Sequence, residues 1–270
     1  MASTFNARDA AVYERSMGRW SRRLAPGFAV FAGIGRAQRV LDVGCGTGSL
    51  VFELADNPAH QQLVGIDASD IYLSAAQAQV QRQPGGAERF AFHHGDACAM
   101  PFVEDEFDAA LCQLVLQFVP QPGEAVAEMR RVVRPGGTVA AAVWNSGGGM
   151  PHQRMFWDTA AMLDPAAAEL RGKTFSRPMT RQDDLYGLFE RVGLREVAES
   201  TVTIPMDFAD FDDFWSPIAG GEGTLGKYVL GLDADATARL ETALRNAYES
   251  GQPDGKRHFS CTAFVCRGTV

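Results

Sequence analysis

The sequence predicts an α/β fold, a doubly wound and mostly parallel sheet with helices on both faces. Through residue 204, short apolar segments alternate with amphipathic segments whose apolar residues recur every three or four positions. Such alternation is typical of parallel strands joined by crossover helices. A glycine-rich turn follows the first apolar segment, and ligands of open α/β sheets bind at the carboxyl ends of strands. The turn is therefore the first candidate for a binding site.

The composition is that of a globular protein with a full core. Of the 270 residues, 46% are hydrophobic, which suits one large α/β domain. The net charge of −8 disfavours nucleic acid as a partner, because phosphate binding depends on clustered lysine and arginine. No segment reaches the roughly 18 uncharged apolar residues of a membrane span, and the first residues lack the pattern of a secretory signal. We expect a cytoplasmic protein without a membrane partner, either monomer or homodimer.

The five cysteines are odd in number and lack the spacing of a metal site. We expect them to be reduced and mostly buried, and we expect no bound metal. They are Cys45, Cys98, Cys112, Cys261 and Cys266.

The glycine-rich turn reads Val-Leu-Asp-Val-Gly-Cys-Gly-Thr-Gly-Ser-Leu from Val40 to Leu50. An apolar strand ends at Gly44, Gly46 and Gly48, and a helix begins directly after them. Glycine reaches positive φ without strain and lets a ligand approach the backbone, while the start of the helix presents unpaired N–H groups. We expect a polar ligand on this turn.

Two details of the turn argue against a dinucleotide. The dinucleotide fingerprint has its third glycine at position 49, where this chain has Ser49. Asp42 precedes the first glycine by two positions, and its carboxylate repels a phosphate but attracts an α-amino group. We therefore expect a ligand that is cationic at that end, although glycine-rich turns also follow strands in other nucleotide-binding α/β folds.

With these residues the chain resembles the class I S-adenosylmethionine-dependent methyltransferases, whose first motif is an acidic residue followed by Gly-x-Gly-x-Gly. The resemblance is closest to the small-molecule branch with the ubiquinone and menaquinone biosynthesis methyltransferases, and it covers roughly the first half of the chain. It implies a Rossmann-like sheet of seven strands, the last antiparallel, with S-adenosylmethionine as cofactor. It also implies in-line methyl transfer to an O, N, S or C nucleophile of a small molecule.

A carboxylate at the end of the second predicted strand is the next candidate. Asp67 lies 19 residues after Gly48, a spacing that suits hydrogen bonds from the two ribose hydroxyls in both dinucleotide and methyl-donor folds. An alternative role is that of an acid at a helix N-terminus, before Ser69. Cys45 and Ala68 are the neighbouring residues expected to contact the cofactor.

Two further segments resemble family motifs. The resemblance places Asp96 of a Gly-Asp-Ala segment at the adenine amino group and Ala97 beside the ring, with an Asx-type turn as the alternative. Gln113 directly follows the fourth predicted strand, Phe107 to Cys112, whose carboxyl end in the family borders the methionine moiety and the acceptor.

The N-terminal segment has one apolar face, interrupted around Gly18 and Pro26, which predicts two helices. It also resembles a family lid in which Tyr13, Arg19 and Trp20 touch the methionine end of the cofactor; packing against the sheet is the alternative. The predicted fold therefore has helical N-terminal and C-terminal additions, and we expect them to close over the methyl acceptor. The predicted division of the single domain is a helical lid (1–33), a cofactor-binding core (34–204), a helical insertion forming part of the acceptor chamber (205–250) and the last strand (251–270).

We expect no dedicated catalytic residue. A sulfonium donor is already electrophilic, so transfer depends on holding the nucleophile on axis and excluding water. If a base is used, His152 is the best placed, after the fifth strand; the alternative is a surface histidine in a glycine-rich loop. Two other functions stay open. A nicotinamide-dependent oxidoreductase is disfavoured by Ser49 and Asp42, and a non-catalytic S-adenosylmethionine-binding protein would need a filled or absent acceptor chamber.

Overall fold

Seven strands form one sheet in the computed structural model, which describes residues 10–37, 39–60, 62–82, 87–221 and 223–270. The strands are β1 (Arg39–Val43), β2 (Gln62–Asp67), β3 (Phe90–His94), β4 (Phe107–Gln113), β5 (Val133–Trp144), β6 (Arg195–Phe208) and β7 (Arg257–Thr269). Their order across the sheet is β3-β2-β1-β4-β5-β7-β6. β1 to β5 are parallel, and β7 runs antiparallel to both of its neighbours. The predicted fold class and the antiparallel last strand are confirmed.

Helices cover both faces of this sheet. They are α1 (Ala10–Tyr13), α2 (Arg19–Ala32), α3 (Ser49–Leu54), α4 (Asp70–Val80), α5 (Pro122–Val132), α6 (Pro151–Leu163), α7 (Pro165–Phe175), α8 (Asp184–Val192), α9 (Phe211–Ala219), α10 (Gly223–Val229) and α11 (Ala234–Glu249). One apolar layer includes Leu24 and Phe28 of α2, and the opposite layer includes Met129 of α5 and Phe189 of α8. Helices α9 to α11 lie between β6 and β7, as expected for the helical insertion.

Short polar side chains begin several of these helices. Ser69 accepts a hydrogen bond from the Tyr72 N–H at the start of α4, and Asp233 does the same for Ala236 in α11. Asp210 caps α9 in this way. Such caps supply acceptors for backbone N–H groups that have no partner inside the helix.

The N-terminal helices differ from the prediction at one of the two expected interruptions. A π-helical turn, Glu14–Gly18, joins α1 to α2, so the backbone is irregular at Gly18. At Pro26, however, α2 continues without interruption, so the prediction of a second interruption there is wrong. A proline removes one backbone hydrogen bond, and α2 retains its helical form because Leu24, Ala25 and Phe28 around it are fully buried.

β6 ends at Phe208, four residues beyond residue 204, where the predicted cofactor-binding core ends. Residues 205–208 pair with β7, and the helices after them begin only at Phe211. Pro205 is accommodated because β6 is the edge strand of the sheet, where one side of the backbone needs no strand partner. β5 begins at Val133 and includes residues 134–137.

Candidate active site

The glycine turn after β1 has the backbone conformation that the sequence predicts. Gly44, Gly46 and Gly48 have φ values of 74°, 54° and 92°, in the left-handed region that favours glycine. A Cβ on Gly44 would collide with Val115, whereas a Cβ on Gly46 would meet no heavy atom within 4 Å. Gly46 therefore presents its backbone to open space, where a ligand can approach it.

Asp67, at the end of β2, accepts hydrogen bonds that hold this turn in place. Its Oδ2 accepts a hydrogen bond from the Gly46 N–H at 2.9 Å, and its Oδ1 accepts one from the Ser69 N–H at 2.8 Å. Burial raises the pKa of Asp67, and these backbone donors oppose the rise. The contact with Ser69 is the expected alternative role at a helix start. A carboxylate has about four acceptor positions, so ribose hydroxyls can bind as well, and that contact stays a prediction.

Asp42 is the most unusual group in the site. Its side chain is buried, and neither carboxylate oxygen has a hydrogen-bond partner among the described residues. Burial, followed by the nearby charge of Asp67, raises the pKa of Asp42 to about 8, and a weak interaction with the Val51 N–H, which does not meet hydrogen-bond geometry, offsets only part of the rise. A buried acid without partners is costly, because water has been removed and nothing replaces it. An ammonium group in this position would supply the missing donors.

The remaining predicted cofactor contacts lie around the same turn. Cys45 is buried, and burial keeps its thiol protonated by raising its pKa. Ala68 is exposed beside Asp67. Asp96 is also exposed, and its Oδ1 accepts the Cys98 N–H at 2.9 Å, which is the expected Asx-type turn. Ala97 is half-buried. Contacts of these residues with adenine or methionine stay predictions.

The N-terminal segment lies over the glycine turn. Tyr13 packs against Tyr72 of α4, with ring centroids 4.9 Å apart. Glu14, on the π-helical turn, accepts a hydrogen bond from the Thr47 hydroxyl and forms an ion pair with Arg22. The sequence pattern missed Glu14, because an acid on the polar face of an amphipathic helix is indistinguishable from an ordinary solvated residue.

Arg19 and Trp20 lie against the helical insertion. Arg19 Nη1 donates to both carboxylate oxygens of Asp213, at 2.8 and 3.0 Å, and the guanidinium lies 4.3 Å from the Trp20 ring centroid. Trp20 in turn packs edge-on against Phe208, with ring centroids 5.5 Å apart. Both residues therefore join α2 to β6 and α9, and their predicted contact with the methionine end stays untested.

Two buried polar side chains lie at the ends of β4 and β5. Gln113 Nε2 donates to the Ser21 backbone oxygen at 3.0 Å, while Gln113 Oε1 has no partner among the described residues. The indole N–H of Trp144 also lacks a partner there. Trp144 was missed from sequence, because a tryptophan at the end of an apolar strand is typical of a core residue.

His152 occupies the first turn of α6 and is buried, so the alternative of a surface histidine is wrong. Its Nδ1 lies 3.5 Å from Cys261 Sγ, and its ring packs against Phe208 and Phe259. Burial, reinforced by the charge of Arg19, lowers the pKa of His152 to about 4. The imidazole is therefore neutral near pH 7.

Within the described ranges, no group of three or more His, Cys, Asp or Glu side chains is placed to hold a metal ion. In the same part of the chain, no helix is both long and apolar enough to span a bilayer.

Comparison with known proteins finds a methyltransferase domain in part of the chain. Residues 41–141, which contain the glycines of the turn, Asp67, Asp96 and Gln113, match the family model described as a methyltransferase domain. The demethylmenaquinone methyltransferase of Bacillus subtilis is 29% identical to this chain over 175 residues, which are 61% of the chain and 74% of the relative.

Two further comparisons are shorter or show the fold alone. An uncharacterized protein of Mycobacterium tuberculosis is 33% identical over 125 residues, 46% of this chain. That match spans 44% of the relative, less than half of its length. The crystal structure of the YcgJ protein from Bacillus subtilis covers 90% of this chain and 97% of its own, with a TM-score of 0.58 and 18% identity. At that identity the likeness concerns the fold.

Proposed function

We propose that this chain is a methyltransferase, which transfers the methyl group of S-adenosylmethionine to a nucleophilic atom of a small molecule. The observation that carries the proposal is Asp42, a buried carboxylate without a partner, next to a turn where Gly46 faces open space. The α-ammonium of the methyl donor supplies the cation that Asp42 lacks. A dinucleotide would instead place its pyrophosphate on the turn beside Asp42, whose ionised carboxylate repels it.

The residues around the turn have distinct roles in this proposal. Asp67 accepts hydrogen bonds from the ribose, Asp96 accepts one from the adenine amino group, and Ala97 lies beside the ring. When bound, S-adenosylmethionine supplies an electrophilic methyl group. The chain's own residues bind and orient both reactants and exclude water, which is where the acceleration arises for a donor of this reactivity.

The acceptor occupies the space between the N-terminal lid and the helical insertion. Contacts across that boundary, such as Arg19 with Asp213, support a cover built from both segments. Residues 1–9 of the predicted lid and residue 222 of the insertion lie outside the described residues. The demethylmenaquinone methyltransferase relative supports a small acceptor molecule. The cytoplasmic location, the absence of a nucleic-acid partner and the choice between monomer and homodimer stay predictions.

Ligand-dependent melting tests the cofactor assignment. S-adenosylmethionine or S-adenosylhomocysteine should raise the melting temperature of the purified chain, because a ligand that binds only the native state stabilises it. NAD and NADP should have no effect. A shift with a dinucleotide alone would overturn the proposal. Asp42→Asn, which preserves shape and removes the charge, should weaken the response to the methyl donor.

Methyl transfer itself needs a second experiment, because binding alone fits a non-catalytic protein equally well. The chain is incubated with isotopically labelled S-adenosylmethionine and a metabolite extract, and labelled small molecules are identified by mass spectrometry. Label in a small molecule, absent with the Asp42→Asn variant, supports the enzyme. Tight donor binding without any labelled product would favour the non-catalytic alternative.

A further inference from the structure

A buried histidine and a buried cysteine meet where α6 lies against β7. Nδ1 of His152, in the first turn of α6, lies 3.5 Å from Sγ of Cys261, whose side chain is completely buried on β7. A cysteine beside a histidine is also the arrangement of nucleophilic cysteine enzymes. The chemistry of this pair therefore depends on where its two protons lie.

Backbone hydrogen bonds hold these two elements together. The Asn145 N–H donates to the Thr262 carbonyl at 3.0 Å, and the Thr262 N–H donates to the Gly149 carbonyl at 2.8 Å. These bonds fix the loop that leads from β5 into α6 onto β7, at the residue after Cys261. The start of α6 is therefore held against Cys261 by the fold.

Aromatic rings hold the imidazole in place. The centroid of the His152 ring lies 5.8 Å from that of Phe208 and 5.9 Å from that of Phe259. Phe259 precedes Cys261 by two positions on β7, so both side chains lie on the same face of the sheet. Close packing leaves the ring little room to rotate, so the contact between Nδ1 and Sγ is a fixed feature of the fold.

The two protons can be distributed in three ways. In the first, the cysteine is a thiolate and the imidazole carries both protons. In the second, the thiol donates to Nδ1 and the imidazole proton is on Nε2; in the third, Nδ1–H donates to the sulfur and Nε2 is unprotonated. Only the first makes Cys261 a nucleophile, and only the third leaves Nε2 of His152 as a base.

The surroundings of the pair disfavour the charged form. His152 lies at the N-terminus of α6, whose dipole opposes a cation, and the charge of Arg19 acts in the same direction. Burial lowers the pKa of His152 to about 4 and raises the pKa of Cys261 to about 12. An activated cysteine needs the opposite order of these two pKa values. The pair is therefore neutral at about pH 7.

The strengths of donors and acceptors separate the two neutral forms. A thiol is a weak donor and its sulfur a weak acceptor, whereas an unprotonated imidazole nitrogen accepts hydrogen bonds readily. A bond from the thiol to Nδ1 uses the better acceptor, while the reverse bond ends on sulfur and leaves the thiol proton unused. The His152 ring and the Cys261 thiol form no other hydrogen bond within the described residues, so this contact sets the tautomer.

We propose that Cys261 is a positioning residue for His152: its thiol donates to Nδ1 and keeps the imidazole proton on Nε2, which makes His152 a hydrogen-bond donor and not a general base. The consequence for catalysis rests on the proposed function. In methyl transfer, Nε2–H can orient a reactant, whereas no ring nitrogen is free to accept a proton from it. Any proton that the acceptor loses goes to another group or to water.

The tautomer is measured by long-range ¹H–¹⁵N correlation on the full ¹⁵N-labelled chain without cofactor, at about pH 7. Protonated and unprotonated ring nitrogens give well separated ¹⁵N signals, and the five histidines are assigned with single-site variants. For His152, we expect the form with the proton on Nε2 to exceed the other neutral form about tenfold. His60 is the internal reference, because its Nδ1 lies 2.6 Å from the Ala37 carbonyl oxygen, which only accepts, so its proton is on Nδ1.

Variants show whether Cys261 sets the tautomer. Cys261→Ala removes the donor and should reduce the tenfold preference to about threefold or less, as loss of one weak hydrogen bond predicts. Cys261→Ser keeps a donor and should restore the preference for Nε2. Cys266→Ala is the matched control, because Cys266 is also a completely buried cysteine of β7 but packs in the opposite apolar layer. It should leave the His152 signals unchanged, and unchanged His60 signals show that each variant is folded.

In the wild-type chain, a proton on Nδ1 of His152, or protons on both of its ring nitrogens, would overturn the proposal. It would also fail if Cys261→Ala kept the full preference for Nε2. Calorimetry with S-adenosylhomocysteine separates this result from the proposed function. If that ligand binds and the tautomer is the other one, only the proposal about Cys261 fails; if the ligand does not bind, the proposed function fails and the tautomer stands on its own measurement.

Discussion

The glycine-turn side of the site differs from the helical cover, which consists of the N-terminal lid and the helical insertion, in how its polar side chains are paired. On the turn side, Asp42 and Gln113 keep buried polar atoms without partners among the described residues. In the cover, oppositely charged side chains already pair with each other, Arg19 with Asp213 and Arg23 with Asp207 at 2.9 Å, while Nε of Arg19 has no partner among the described residues. A surface prepared for a ligand leaves hydrogen-bonding capacity unused, whereas a surface that holds two segments together consumes it. The comparison therefore distinguishes a surface that binds a ligand from a contact that holds two segments of the chain together.

The largest expected effect comes from filling the open space at the turn. Gly46→Ala should weaken binding of S-adenosylhomocysteine more than about a hundredfold, because the added methyl group enters the ligand's space and the turn is strained. Calorimetry measures the affinity, and chemical denaturation should show a stability loss of only about 1 to 2 kcal/mol from the left-handed φ.

Gly136→Ala is the matched control for that strain. Gly136 has a φ of 77° and open space around its Cα, like Gly46, but lies at the start of β5, far from the turn. Its variant should lose the same stability and keep the affinity of the wild type. Equal affinity losses in the two variants would mean that the space at Gly46 is not the cofactor's.

Removal of the Asp67 carboxylate should have the next largest effect. Asp67→Ala is expected to weaken cofactor binding by about 1.5 to 3 kcal/mol, since charge-assisted hydrogen bonds to the ribose are lost. The variant should fold, because Asp67 ends a strand, although the Gly46 N–H loses its acceptor. Calorimetry at one pH, with circular dichroism as the folding check, measures both. Unchanged affinity in a folded variant would place the ribose contact elsewhere.

The difference between the two surfaces also explains what could be predicted from sequence. Glycine spacing and strand periodicity are local patterns with direct backbone consequences, so the positive φ values at the turn and the mostly parallel sheet followed from them. The number of strands and the antiparallel last strand came from the family resemblance. The pairing of Arg19 with Asp213 joins residues 194 positions apart, and no local pattern encodes it. The place of Pro205 in a strand likewise depends on the sheet order, in which β6 is an edge strand.

His152 tests whether a side chain outside the cover contributes a general base to the reaction. We expect His152→Ala to reduce turnover at most about a hundredfold, the low end for loss of a general base, because the buried neutral imidazole contacts Cys261 and aromatic rings. Turnover is measured with the acceptor identified by the labelling screen. A loss beyond about ten-thousandfold with unchanged cofactor affinity would establish a dedicated base, and positioning alone would no longer account for the rate.

Asp42 predicts a smaller effect that depends on pH. Its pKa is about 8 in the folded chain and 3.8 as the ordinary value, so the folded state binds its proton more tightly. The stability contribution is therefore complete below the unfolded pKa and is lost as pH rises through about 8. Between about pH 7 and pH 9, the cofactor-free wild type should lose about 1 kcal/mol relative to Asp42→Asn. Urea denaturation of both proteins across that range measures it, and parallel curves would contradict the assigned pKa.

The smallest expected change in stability concerns the closing contact between Arg19 and Asp213. Asp213→Asn keeps the side-chain shape and removes the charge of a partly exposed pair, which is worth about 0.5 to 1 kcal/mol. The same change should loosen the cover, so that limited proteolysis within residues 10–32 and 205–231 becomes faster. Cofactor together with acceptor should slow cleavage there in the wild type, because closure excludes water from the sulfonium.

Glu169→Gln provides the control for this last experiment, since the ion pair of Glu169 with Lys173 is exposed on α7 and lies outside both segments. Its cleavage pattern should match the wild type. If ligands do not slow cleavage in the wild type, the two segments are not a lid, and the pairing of Arg19 with Asp213 is a fixed structural contact. If ligands protect the wild type but protect Asp213→Asn less, the paired charges of the cover act by stabilising the closed state. The turn side, with its unused polar atoms, then holds the cofactor while the cover closes over the acceptor.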